Sequence, residues 1–135
     1  MCDFTTDIVV NVFVALLTGI STGLVVNRMA RFEELRNEAR RIIWGIDYIY
    51  DGGDRPGIVE QRPVGELLYV SSELYALKHA SAGESLSRLL EEITATLSSP
   101  PADVETMNQR YLGWQGVCRQ LKPERKVIYG MGWKP

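Results

Sequence analysis

Residues 8 to 27, IVVNVFVALLTGISTGLVVN, carry no charged side chain, and this constrains the chain more than any other feature. A helix of that length rises about 30 Å, the thickness of the hydrocarbon core of a bilayer. A surface helix of a water-soluble domain keeps one charged face, because one side must meet water. This segment has none. Enclosing it as a central buried helix would use most of the core that a 135-residue chain can build. Residues 8–27 therefore read as a transmembrane helix, preceded by a short extracytoplasmic N-terminus over residues 1–7.

A cleaved signal peptide would begin with a positive region, whereas MCDFTTD is acidic, and the exit VVNRMARF lacks a small-x-small cleavage site. All 15 Lys and Arg residues lie beyond residue 27. Arg28, Arg31, Arg36, Arg40 and Arg41 follow the span closely, so the positive-inside rule predicts a single-pass protein of the cell membrane with its C-terminal part in the cytoplasm. The same arginines are expected to fix topology and to meet membrane lipid at the headgroups. Beyond the span the acidic side chains balance the basic ones, which argues against a nucleic-acid partner.

Within the span, Ala15, Gly19 and Gly23 recur at every fourth position, a small-residue ridge on which two helix backbones approach closely. Asn11, Thr18 and Thr22 lie on a neighbouring strip, and an amide in hydrocarbon needs a hydrogen-bond partner. A second copy of the helix supplies one. These six residues are the expected self-association face.

Residues 28–50 read as a juxtamembrane amphipathic helix. Phe32, Leu35, Ala39, Ile42, Ile46 and Ile49 alternate in steps of three and four, the seam of a heptad. Phased back at the heptad period, the seam roughly lines up with the small and polar strip of the span. Either the seam pairs with a second protomer in a coiled coil or it covers the chain's own later helices. Ile43 and Trp44 widen the stripe and favour the second.

Residues 51–135 are expected to form a cytosolic helical domain with a C-terminal tail. DGGDRPG, residues 51–57, reads as a turn and lacks the ligand spacing of a calcium loop. A helix over 63–80 carries the apolar line Leu67, Val70, Leu74 and Leu77. Ser81 and Glu84 have capping-box spacing ahead of a helix over 84–98, with Leu86, Leu90, Ile93 and Leu97 inward. Ser99 and Pro100 are placed to open the last helix, with Val104, Met107, Tyr111, Trp114, Cys118 and Leu121 on its apolar face. The expected fold class is all-α, a single N-terminal transmembrane helix continuing into a small antiparallel bundle. The tail's Val127, Ile128, Tyr129, Met131 and Trp133 are expected to close the bundle as an extended strip.

Few residues suggest chemistry. His79 is the sole histidine, Cys2 and Cys118 make no disulfide framework, and no nucleophile elbow or zinc-ligand spacing occurs. No lipidation pattern surrounds Cys2. Neither a metal nor a cofactor is expected, and the chain reads as no enzyme. Trp44, Tyr48, Tyr50 and Trp133 are candidate protein-interface anchors, since exposed aromatics contribute disproportionately to binding. The leading expectation is a membrane-anchored adaptor or regulatory subunit acting through self-association and an unidentified protein partner. The alternatives are an oligomerising membrane-active effector of a toxin or antiviral system and a soluble helical interaction protein.

Overall fold

A computed structural model describes residues 3–50 and 57–130. The chain is mostly helical, with one small sheet. Helix α1 runs without interruption from Asp3 to Trp44, 42 residues or about 63 Å. It is followed by strands β1 (Ile46–Ile49) and β2 (Gly57–Glu60), then by helices α2 (Glu66–Ala76), α3 (Ala80–Ser98), α4 (Val104–Gln120) and the short α5 (Arg125–Ile128).

The two ends of α1 face different surroundings. From Ile8 to Val26 every large apolar side chain except the half-buried Val25 is 47–65% exposed. From Phe32 onward the seam is buried: Phe32, Ala39, Ile42 and Ile43 are fully covered, and Leu35 nearly so. Helices α2 and α4 cover it, and α3 packs against both of them. The heptad seam is thus the bundle's own core, as Ile43 suggested, and it is not free to make a coiled coil with a second chain.

The all-α expectation fails at residue 45. The juxtamembrane helix ends at Trp44 instead of continuing to 50, and Ile46–Ile49 pairs antiparallel with Gly57–Glu60, Ile46 opposite Glu60 and Ile49 opposite Gly57. Two features of the sequence cause this. Gly45 lets the chain turn out of the helix, and a Cβ there would lie 3.3 Å from Cβ of Gln61, whose backbone N–H donates to the Gly45 carbonyl at 2.8 Å. The flanking IDYI and GIVE runs are rich in β-branched and aromatic residues, which suit a pleated surface. Ile46 is buried in either geometry, so its spacing fits a helix and a strand alike; Ile49, 60% exposed, leaves the seam. Of the predicted turn only Gly57, the first residue of β2, lies within the described residues.

Three helix starts also differ from expectation. Pro63–Gly65 forms a tight turn, with Glu66, Leu67 and Leu68 N–H groups each bonding three residues back, and α2 proper begins at Glu66. The Glu60 carboxylate accepts from the Val64 N–H at 3.0 Å and braces this turn. Helix α3 begins at Ala80, before the predicted capping box, and Ser81 turns instead to Glu124, whose Oε1 accepts from its N–H at 3.1 Å and its hydroxyl at 3.3 Å. Helix α4 is capped by Asp103, which accepts from the Thr106 N–H and hydroxyl, both at 2.8 Å. Ser99 does not open it, because a residue preceding proline disfavours helical backbone and Pro100 precedes Pro101.

The tail's described apolar residues lie on and beside one helical turn rather than an extended strip. Ile128 is buried where α5 packs on α1 and Val127 half-buried, whereas Tyr129 is 61% exposed and does not help close the bundle. Met131 and Trp133 lie outside the described residues.

Candidate functional site

On α1 the structure gathers most of the predicted self-association residues. Ala15, Thr18, Gly19, Thr22 and Gly23 line one shallow groove that continues through Val26 and Asn27 to Ala30. A side chain grown from Gly19 or Gly23 would meet nothing within 4 Å. Asn11 does not line this groove. The Thr18 hydroxyl donates to the Val14 carbonyl at 2.8 Å, so the helix itself satisfies that polar group.

The position of this groove corrects the heptad phasing. In a straight helix each residue turns about 100°, so Gly19, Gly23 and Ala30 centre roughly half a turn away from Phe32, Leu35 and Ala39. Groove and buried seam lie on opposite sides of α1, not along one continuous face. The heptad period differs from a straight helix by only about 20° per heptad, so the Gly19 and Gly23 ridge lies out of phase with the seam at either period.

The juxtamembrane arginines have varied surroundings. Arg28 donates to the Val127 carbonyl at 2.9 Å and ties α1 to α5. Arg31 pairs with Glu34 at 2.7 Å and reaches Glu73 of α2 at 3.3 Å; these carboxylates, the Glu34 hydrogen bond first, push its pKa further up. Arg36 pairs with Glu33 at 2.5 Å and Arg41 with Glu38 at 3.5 Å, while Glu38 also holds Arg62. Arg40 stacks over the Trp44 ring, 4.5 Å from its centroid.

Of the candidate interface aromatics, Trp44 is 45% exposed under Arg40. Tyr48 and Tyr50 are half-buried and serve inward contacts. Tyr48 hydrogen-bonds Asn108 and meets the Tyr111 ring edge-on at 5.7 Å, and the Tyr50 hydroxyl donates to the Pro101 carbonyl at 2.9 Å. They hold the hairpin against α4. Desolvation, with Tyr111 and Tyr50 nearby, raises the Tyr48 pKa. Trp133 lies outside the described residues.

Cys118, His79 and Trp114 have structural surroundings. Cys118 is fully buried, and that burial pushes its thiol up to about 11, with Arg40 pulling weakly the other way. His79 is buried, edge-on to Phe32 at 4.9 Å, and its Nδ1 accepts from the Glu124 N–H at 3.1 Å. An accepting Nδ1 is the neutral ring with its proton on Nε2. Burial holds its pKa below the ordinary histidine value, although Glu124 pulls upward. The Trp114 indole donates to Glu92 at 3.0 Å across α4 and α3. Among the described residues no group of three His, Cys, Asp or Glu side chains is placed to hold a metal ion.

A cleft of about 540 Å³, not foreseen from the sequence, opens where α1 leaves the bundle, lined by Arg28, Ala76, Leu77, Lys78, His79, Lys126, Val127 and Gly130. Only the pairing of LKH with ERK, far apart in sequence, could have signalled it, and periodicity does not report such a pairing. α1 is the one helix among the described residues long and apolar enough to cross a membrane. Comparison with protein-family models, curated proteins and solved structures gave no match.

Proposed function

We propose that the chain is a membrane-anchored adaptor or regulatory subunit, its span lodged in the bilayer and its bundle presented to the cytoplasm. One observation carries the reading: the apolar half of α1 is uncovered, while the rest of the helix is built into a closed core. Fully burying a large aliphatic side chain contributes about 1.5–3 kcal/mol. Leaving the half-exposed set from Ile8 to Val26 in water would cost on the order of 10 kcal/mol. That rivals the whole stability of a small domain, about 5–15 kcal/mol, so the segment needs cover. A bilayer supplies cover on every face. The arginines after the span support a cytoplasmic body, and the groove along Gly19 and Gly23 supports association of two spans.

The test has two arms. Alkaline carbonate extraction should leave the full chain with the membranes, and its release into the soluble fraction would overturn the anchor. Crosslinking in native membranes should give a dimer that Gly19→Ile and Gly23→Ile weaken without loss of insertion. Undiminished dimer in both variants would overturn the small-residue contact.

A further inference from the structure

The cleft beside Arg28 sits where the uncharged stretch ends, since Arg28 is the first charged residue after Asp7. It is assembled from three separate parts of the chain: α1 supplies Arg28, the α2–α3 connection supplies Lys78 and His79, and α5 with the residues just after it supplies Lys126, Val127 and Gly130. Three of the lining residues are cations and none is an acid. Among the described residues, no salt bridge engages Arg28, Lys78 or Lys126. The nearby carboxylates are committed elsewhere, Glu73 to Arg31 and Glu124 to the start of α3.

Lys78 stands out in this cleft. It has φ 64°, the sole positive φ among the described non-glycine residues. The end of α2 is a Schellman turn: His79 N–H bonds the Leu74 carbonyl at 2.8 Å and Lys78 N–H the Tyr75 carbonyl at 2.9 Å. The residue in the left-handed position of that turn is usually glycine, because a Cβ is strained there. Here the strained position carries a lysine, and that lysine lines the basic cleft. The Arg28 guanidinium forms a wall of the cleft, held by the Val127 carbonyl and 3.5 Å from where a Gly130 side chain would begin.

We propose that this cleft binds the phosphate of an anionic phospholipid headgroup, through Arg28, Lys78 and Lys126. Phosphate is the shared chemistry of a headgroup and a free anion. The headgroup is favoured because the cleft opens at the end of the apolar segment, where the headgroup layer lies if that segment spans the bilayer. Basic pockets beside transmembrane helices on the cytoplasmic side suit such groups. The proposal rests on the membrane anchor proposed above.

The test uses the full chain in nonionic detergent, with its melting temperature followed by circular dichroism. Dioctanoyl phosphatidylglycerol should raise it saturably, whereas dioctanoyl phosphatidylcholine and sodium phosphate at equal concentration should not. Removing one cation should raise the half-saturating lipid concentration about fivefold, in both Lys78→Gly and Lys126→Gln. Lys78→Gly guards against misfolding, because glycine fits the turn better and the lipid-free chain should melt no lower than the parent. Arg88→Gln, which removes a cation paired with Glu84 on the surface of α3, should leave the lipid response unchanged. An equal response to phosphatidylcholine, an equal loss in Arg88→Gln, or an unaltered response in both lysine variants would overturn the site. An equal response to sodium phosphate would overturn the lipid assignment in favour of a soluble anion. Carbonate extraction keeps the two readings apart: a chain that stays with the membrane but ignores phosphatidylglycerol refutes the cleft alone, and a chain that leaves the membrane refutes the anchor.

Discussion

Replacing Ala39 by Leu distinguishes the two fates of the juxtamembrane seam. Ala39 is fully buried between Leu35 and Ile42 on a face that α2 and α4 cover. Ala39 is wholly covered, so an isobutyl group there is expected to displace neighbours in a core packed as densely as a crystal. Overpacking of this kind costs about 1–3 kcal/mol. For a body of this size each kcal/mol lowers Tm by about 4 °C or more, so a fall of roughly 4–12 °C is expected. In a coiled coil the outcome reverses, because Leu fills a seam position that Ala leaves underpacked and the dimer gains stability. Thermal melting of the detergent-solubilised chain at two protein concentrations gives the comparison. A Tm that rises in Ala39→Leu, and rises further with concentration, would refute the intrachain packing.

Two other predictions concern buried groups. Cys118, with its thiol pushed up to about 11, should resist a thiol reagent at pH 8 in a Cys2→Ser chain until denaturant is added; labelling of the folded chain at the rate of a free thiol would contradict its burial. His79 is the only histidine, and its folded pKa lies below its unfolded one, so acid favours the unfolded state. Stability should be flat above about pH 6.5 and fall below it at no more than about 1.4 kcal/mol per pH unit, a slope that His79→Gln should flatten. Stability that increased from pH 7.5 to 5.5 would show the sign to be wrong.

The long helix and the inward faces of the later helices were legible because burial has a period. Leu67, Val70 and Leu74 on α2, and Met107, Trp114 and Cys118 on α4, are all buried at the positions their spacing picks out. Val104, at the start of the same α4 line, is 44% exposed, since it lies in the first turn beyond the reach of the core. The hairpin was not legible from the seam, because Ile46 keeps its place in the core when helix becomes strand. The β-branched and aromatic residues of IDYI and GIVE on either side of a Gly- and Asp-rich stretch carried the signal, but the heptad spacing overran it. Helix starts were misplaced wherever a distant group took over a local one. Ser81 has the spacing of a local cap, yet Glu124 from beyond α4 engages it instead. The basic cleft lay further still from view, being joined only by the fold.

Because α1 is one unbroken helix, its features are fixed in rotation relative to one another. At about 100° per residue, Arg28 falls on the same side as Phe32 and Leu35, the side that meets the bundle. The groove through Gly19, Gly23 and Ala30 falls on the other. Two spans meeting groove to groove would therefore carry their bundles on the outer flanks, with neither body in the way. Their clefts would point away from the contact, so pairing in the bilayer and binding of a headgroup would not compete for a surface. Had the groove shared the seam's phase, the bundle's own α2 and α4 would approach the side on which a second span must dock. The offset of about half a turn between Gly19, Gly23 and Ala30 and the buried Phe32, Leu35 and Ala39, set by their places in the sequence, is what would keep the two faces apart.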